Sequence, residues 1–222
     1  MAGFDSVRDC ANAVADIIKN GIIPAGLEMM DEFAIEASEE FARPGYPLGS
    51  KALLLCELDG SDELVSNDLE TVLSLLSRAS SVRVSESEEE RLLLWKGRKS
   101  AFPAVGRISP DYYCMDGTIP KRHLGDVLEK INALSKHYSL RVANVFHAGD
   151  GNLHPLILYD AGVPGELEKT EEFGNEILKL CIDVGGSITG EHGVGVEKLD
   201  AMCYQYSDCL LYTSPSPRDS IR

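Results

Sequence analysis

Asp150-Gly151 lies between two apolar runs, 140–147 and 152–159, and this dipeptide in that setting is the strongest short-range signal for a β-hairpin. It gives the middle of the chain an antiparallel pair, which suits an α+β layer better than a doubly wound parallel sheet. As a two-residue loop it predicts residue 149 opposite 152, 148 opposite 153, and His147 opposite His154. The two histidines are an odd number of residues apart and would fall on opposite faces of one straight strand. The turn brings them to one face instead, with Cβ atoms roughly 4.5–5.5 Å apart, so two imidazoles can converge on one metal ion.

Around the hairpin, helices are predicted over 6–20 (Asp5 or Ser6 as N-cap, Gly21 as stop), 31–42, 62–78, 86–102 with Pro103 as terminator, 120–138, 165–184 and 196–206. Further strands are expected over 26–30, 52–58 and 112–116, with a weak one at 82–84. Single strands alternate with helices, and the hairpin is the clear sequential strand pair. The expected class is therefore α+β, an antiparallel sheet covered by helices on one side. A G-x-G-x-x-G after an early strand and a P-loop are both missing from the sequence, so it shows no cradle for nucleotide phosphates.

A net charge of −15 argues against a nucleic-acid partner, which requires clustered Lys and Arg. The six cysteines form no C-x-x-C pair, which fits reduced thiols. No apolar run approaches the roughly 20 residues of a membrane span, and Met1-Ala2-Gly3-Phe4-Asp5 lacks a signal peptide's basic start. The expected location is cytoplasmic.

The chain has five histidines, and a third sits in Gly185-Gly186-Ser187-Ile188-Thr189-Gly190-Glu191-His192-Gly193-Val194-Gly195. Five glycines there leave little to pack and allow close backbone approach to a ligand. Adjacent side chains diverge, so Glu191 and His192 are expected to do different jobs. A His, His, Glu set with an open position suits a catalytic divalent metal. On residues alone a metal site and a pair of structural sheet histidines both stay open, as does a plain flexible loop for 185–195. Arg98 could grip a carboxylate in a bidentate fork, although an Arg in such a helix ordinarily faces water. Asp116, Asp183 and Lys198 are distinguished only by position and are assigned to the surface.

At these residues the sequence resembles a known family. His147-Ala148-Gly149-Asp150-Gly151-Asn152-Leu153-His154-Pro155 and the segment from Gly190-Glu191-His192-Gly193 to Lys198 resemble the C-terminal domain signatures of the FAD-linked glycolate oxidase and D-lactate dehydrogenase family. The stretch from Gly97-Arg98 to Asp116 is similar to its glycolate oxidase branch, and the likeness covers about residues 1–208. The resemblance implies a vanillyl-alcohol-oxidase-type architecture in which a separate N-terminal domain binds FAD and a ferredoxin-like cap domain covers the substrate. It implies His147, His154 and Glu191 as ligands of a divalent metal, commonly zinc, His192 as catalytic base, and Arg98 as holder of the substrate carboxylate. Relatives acting on 2-hydroxyglutarate use a Lys, a Thr and an Asn for the distal carboxylate, at about the positions of Cys114, Phe102 and Leu156. None of these three can replace those contacts, which points to a short acid such as glycolate or D-lactate. Implied partners are the FAD-binding domain of a longer chain and other glycolate oxidase subunits, a second flavin-type and an iron–sulfur one. The implied location is cytoplasmic or peripheral at the inner membrane.

Both ends read as truncations. Met1 matches an internal position of the family, and residues 209–219 read, in codons, as one frame of a transposase-type sequencing adapter, which marks 209 to about 222 as non-native. The expectation is a fragment, domain 1–208 plus a non-native tail, inactive without its FAD domain. The alternative is a stand-alone metal-dependent hydrolase or lyase using His147, His154 and Glu191 with a bound water, and after it a non-catalytic module.

Overall fold

The computed structural model describes residues 1–207, so the expectation for the tail lies outside the described residues. One sheet is built from β1 (Ala2–Phe4), β2 (Gly26–Asp31), β3 (Ala52–Glu57), β4 (Ser81–Val82), β5 (Asp111–Cys114), β6 (Gly117–Thr118), β7 (Val142–His147) and β8 (Asn152–Tyr159). The strand order is β4-β1-β3-β2-β7-β8-β5, with β6 also pairing β8, and these pairings are antiparallel. The helices are α1 (Val7–Lys19), α2 (Glu32–Ala42), α3 (Asp62–Leu75), α4 (Glu88–Lys99), α5 (Ala101–Val105), α6 (Leu124–Tyr138), α7 (Glu166–Asp183) and α8 (Leu199–Gln205). Side-chain caps start several of them: Ser6 accepts from Asp9 N, Asp31 from Ala34 N, Ser61 from Leu64 N and Ser87 from Glu90 N. Among the described residues no helix is long and apolar enough to cross a membrane.

The α+β antiparallel class is as expected, but helices cover both faces of the sheet. Along β3, Leu54 enters one apolar cluster and Leu53 and Leu55 enter the other. The first cluster is closed by Val14 and Ile17 of α1, Ile131 of α6 and Phe173 and Ile177 of α7. The second is closed by Ala34 and Ile35 of α2, Leu94 of α4 and Val105 of α5. A strand buried on both sides loses alternation and reads as a continuous apolar run, as 52–55 does.

The hairpin differs from the two-residue reading. His147 pairs with Asn152 and Val145 with His154, so the loop comprises Ala148, Gly149, Asp150 and Gly151. Tertiary contacts select this longer loop: Ala148 is fully buried in the first cluster, and Gly149 N donates to Leu27 O of β2 at 2.9 Å. Gly151 closes it at φ +74°, a region closed to most side chains. The register has slipped by two residues, which preserves the face of every side chain. His154 is thus diagonal to His147, not opposite it.

Pro103 does not end its helix. It is the third residue of α5, inside the first turn, where its missing N–H removes no helical bond. Two strands escaped the sequence reading, β1 and β6, of three and two residues, too short for periodicity to register.

Candidate active site

The candidate site residues gather on the face of the second cluster. Positions 28, 147 and 154 share the parity of Met30, Val145 and Leu156, which belong to that cluster. The His147 and His154 rings lie perpendicular with centroids 5.2 Å apart. Glu191 Oε1 is 2.9 Å from His154 Nε2 and 3.8 Å from His147 Nε2. The ligand atoms of His147, His154 and Glu191 all lie within 4.8 Å of one another. His192 stacks on His154, centroids 5.1 Å apart and planes 25° from parallel, and is exposed.

Glu28 ties this group to Arg98. Its Oε1 accepts from His147 Nδ1 at 2.8 Å, while its Oε2 accepts from Arg98 Nε at 3.0 Å and Nη2 at 2.7 Å. Arg98 is buried rather than solvent-facing, at 7% exposure. Its helix α4 is clamped by Tyr46, whose hydroxyl donates to Leu94 O at 2.6 Å. The pair uses Nε and Nη2 and not Nη1. Glu28 therefore does two things: it balances a buried guanidinium and fixes His147 with its proton on Nδ1 and a lone pair on Nε2.

The glycine-rich segment is ordered around Asp116. The carboxylate accepts from Gly190 N at 3.0 Å, Glu191 N at 3.2 Å, His192 N at 2.9 Å and Thr189 Oγ1 at 2.7 Å. Lys198 Nζ donates to Asp116 O at 2.7 Å and stands 3.4 Å from Oδ2. Asp116 and Lys198 are thus buried, correcting their assignment to the surface, while Asp183 is exposed and takes the Tyr204 hydroxyl. Close approach explains two glycines here: a Cβ on Gly186 would collide with the backbone of Thr118, which pairs with Ser187. At Gly186 the close approach is to the protein's own backbone, and at Gly190 it is to the Asn152 side chain.

Electrostatics separates the two sheet histidines. The hydrogen bond to Glu28 raises His147, against the opposing pull of burial; burial and then the neighbouring His147 charge lower His154. Burial alone would raise the Asp116 carboxyl, but the Thr189 hydroxyl and the loop N–H groups hold it well below the usual carboxylate range. In the metal-free chain the His147 ring is expected to titrate above the ordinary imidazole value of roughly 6.5, and His154 below it. The linkage follows in sign: the His147 contribution to stability is present below about 6.5 and fades as pH rises through its raised value. That of His154 is present above about 6.5 and is lost as pH falls through its lowered value. An NMR pH titration of the ring protons checks this, and coincident midpoints would contradict it.

The donor set fits a divalent cation. Two imidazole nitrogens and a carboxylate oxygen converge, one imidazole is oriented by a carboxylate behind it, and Arg98 stands one carboxylate away. A cavity of about 300 Å³, with Leu54, Leu69, Val72 and Trp95 but also Glu57 and Arg91 in its lining, shares none of these residues.

A family model described as "FAD linked oxidases, C-terminal domain" matches residues 1–212. The chain belongs to that family. Among the curated relatives of this FAD linked oxidase domain is "Glycolate oxidase subunit GlcD" of Escherichia coli (strain K12), 60% identical over 209 residues, covering 93% of this chain and 42% of the relative. GlcD of Bacillus subtilis (strain 168) is 37% identical over 200 residues, 89% of this chain and 43% of the relative. "D-lactate dehydrogenase [cytochrome], mitochondrial" of Arabidopsis thaliana is 27% identical over 203 residues, 90% of this chain and 35% of the relative. The chain thus spans less than half the length of these relatives. The fold also matches the solved structure "4-ethylphenol oxidase from Gulosibacter chungangensis: isoeugenol complex", with a TM-score of 0.57, 14% identity, and coverage of 84% of this chain and 44% of that one. At that identity the match concerns the fold alone.

Three residues of the FAD linked oxidase domain escaped the sequence reading. Glu28 carried one signal, a lone charge inside the strand Leu27-Glu28-Met29-Met30. Asp116 and Lys198 carried none, because their roles depend on contacts with residues more than 70 positions away.

Proposed function

We propose that this chain is the substrate- and metal-binding part of an FAD-dependent 2-hydroxyacid oxidoreductase, oxidising glycolate, or D-lactate, to the 2-oxo acid. The observation that carries the reading is the gathering of His147, His154, Glu191 and His192 on one face, with Arg98 joined to them through Glu28. The named relatives, glycolate oxidase subunits and D-lactate dehydrogenases, support the substrate class. Membership of a family of FAD linked oxidases weighs against a stand-alone hydrolase or lyase. The FAD is held mainly by a domain outside these residues. A cytoplasmic setting fits its free cysteines.

In this reading Arg98 pairs with the substrate carboxylate, its guanidinium kept in place by Glu28. His147, His154 and Glu191 hold a divalent cation, zinc in our reading. When bound, the cation supplies Lewis-acid activation of the 2-hydroxyl and FAD supplies the hydride acceptor. His192 takes the hydroxyl proton at a ring nitrogen, a transfer for which imidazole is suited near neutral pH. Phe102, edge-on to His154 with centroids 6.4 Å apart, and Cys114, close to His154 and His192, offer no cationic group to a second carboxylate.

The test joins the chain to a matching FAD domain and follows anaerobic bleaching of the flavin. Glycolate or D-lactate is expected to reduce it, and 2-hydroxyglutarate to do so far more slowly. Failure of every short 2-hydroxy acid would overturn the proposal.

A further inference from the structure

The cluster contains a second set of donors, which shares His154 with the triad and adds Cys114 and His192, two groups the proposed reaction does not use as ligands. Cys114, the last residue of β5, pairs opposite Leu156 of β8, so its thiol lies beside the strand that carries His154. Its ligand atom and those of His154 and His192 all lie within 4.8 Å of one another. Cys114 is half-buried, His154 is 2% exposed, and His192 is open to solvent. His154 has a ring nitrogen to spare: Nε2 faces Glu191 and Asn152, while Nδ1 is buried with no hydrogen-bond partner among the described residues. A buried imidazole nitrogen left unpaired costs free energy that a cation would recover.

We propose that Cys114, His154 and His192 form a second cation site, selective for thiophilic divalent ions such as Cd²⁺ and excess Zn²⁺, and that its occupation takes His192 away from proton transfer. One sulfur and two imidazoles, with solvent reaching the His192 side, give the donor set of a tetrahedral site with one open position. The triad of His147, His154 and Glu191 contains no sulfur, so the two sets differ in the ions they favour. Binding replaces the S–H bond of Cys114 by a metal–sulfur bond and releases one proton to solvent, with no change in oxidation state. The thiol hydrogen at present points to Met115 O at 3.5 Å, a weak contact that is given up. A lone pair of His192 committed to the cation is no longer available to a substrate hydroxyl. The site does not require the triad to hold a metal.

The experiment titrates the 222-residue chain with Cd²⁺ and follows the ultraviolet thiolate-to-cadmium charge-transfer band. One equivalent is expected to develop the band. Cys114→Ser is expected to abolish it and His192→Ala to weaken binding at least about tenfold, the loss of one of three ligands. Glu191→Gln, which removes a triad ligand only, is expected to leave the band in place. X-ray absorption at the cadmium edge gives a second reading, one sulfur with nitrogen neighbours. A band that survives Cys114→Ser, or cadmium with no sulfur neighbour, would overturn the proposal. Loss of manganese binding in Glu191→Gln with an unaltered cadmium band would separate this site from the triad.

Discussion

Flavin reduction by glycolate in a His192→Ala protein joined to its FAD domain is expected to slow by about 10²–10⁴-fold, the usual contribution of a positioned general base. Divalent-metal binding at the triad is expected to survive the change. The separation follows from the geometry. His192 is exposed and touches the triad only by stacking on His154, whereas Glu191, its neighbour in sequence, points at both sheet histidines. The loop is also held at its backbone, through the N–H groups bonded to Asp116, so losing the imidazole leaves Glu191 in position. The loss should therefore fall on kcat more than on KM. An unchanged rate would remove His192 from the proton transfer.

Asp116→Ala is expected to have the largest effect on stability. The substitution strips partners from three backbone N–H groups and the Thr189 hydroxyl. It also leaves Lys198, 4% exposed, with a backbone carbonyl but no counter-charge. Removing one member of a buried charge pair costs roughly 3–5 kcal/mol. At about 2–4 °C per kcal/mol for a chain of this size, the thermal midpoint should fall by roughly 6–20 °C. With the loop released, Glu191 no longer meets His154, and metal affinity should drop at least about 10–100-fold. Asp116→Asn keeps the volume and one acceptor oxygen, so its effect should be intermediate. Calorimetry on the three proteins tests this, and a midpoint shift within about 2 °C for the alanine variant would show that the loop does not depend on Asp116.

How far the sequence could see follows from which contacts were local. The start of α1 was legible because Ser6 caps its own first turn. Asp150-Gly151 announced the hairpin for the same reason, but not its register, because Gly149 bonds to Leu27 on a strand more than 100 residues earlier. The face survived that error since the slip was even, and His147 and His154 still meet. Glu28 stands 119 positions from His147 and 70 from Arg98, so no local pattern links the three. Arg98 entered through resemblance and would otherwise have passed for a surface residue. The helices on both faces were hidden in the apolar run 52–55, whose lack of alternation is itself the mark of a strand buried on two sides.

The central claim is that His147, His154 and Glu191 hold a divalent cation. Manganese, which favours nitrogen and oxygen over sulfur, probes it most directly through the loss of its free-ion electron paramagnetic resonance signal on titration with the 222-residue chain. One ion per chain is expected, with affinity at least about tenfold weaker in His147→Ala, His154→Ala and Glu191→Gln and unaltered in Cys114→Ser. Absence of stoichiometric binding, or binding that survives all three triad substitutions, would contradict the account.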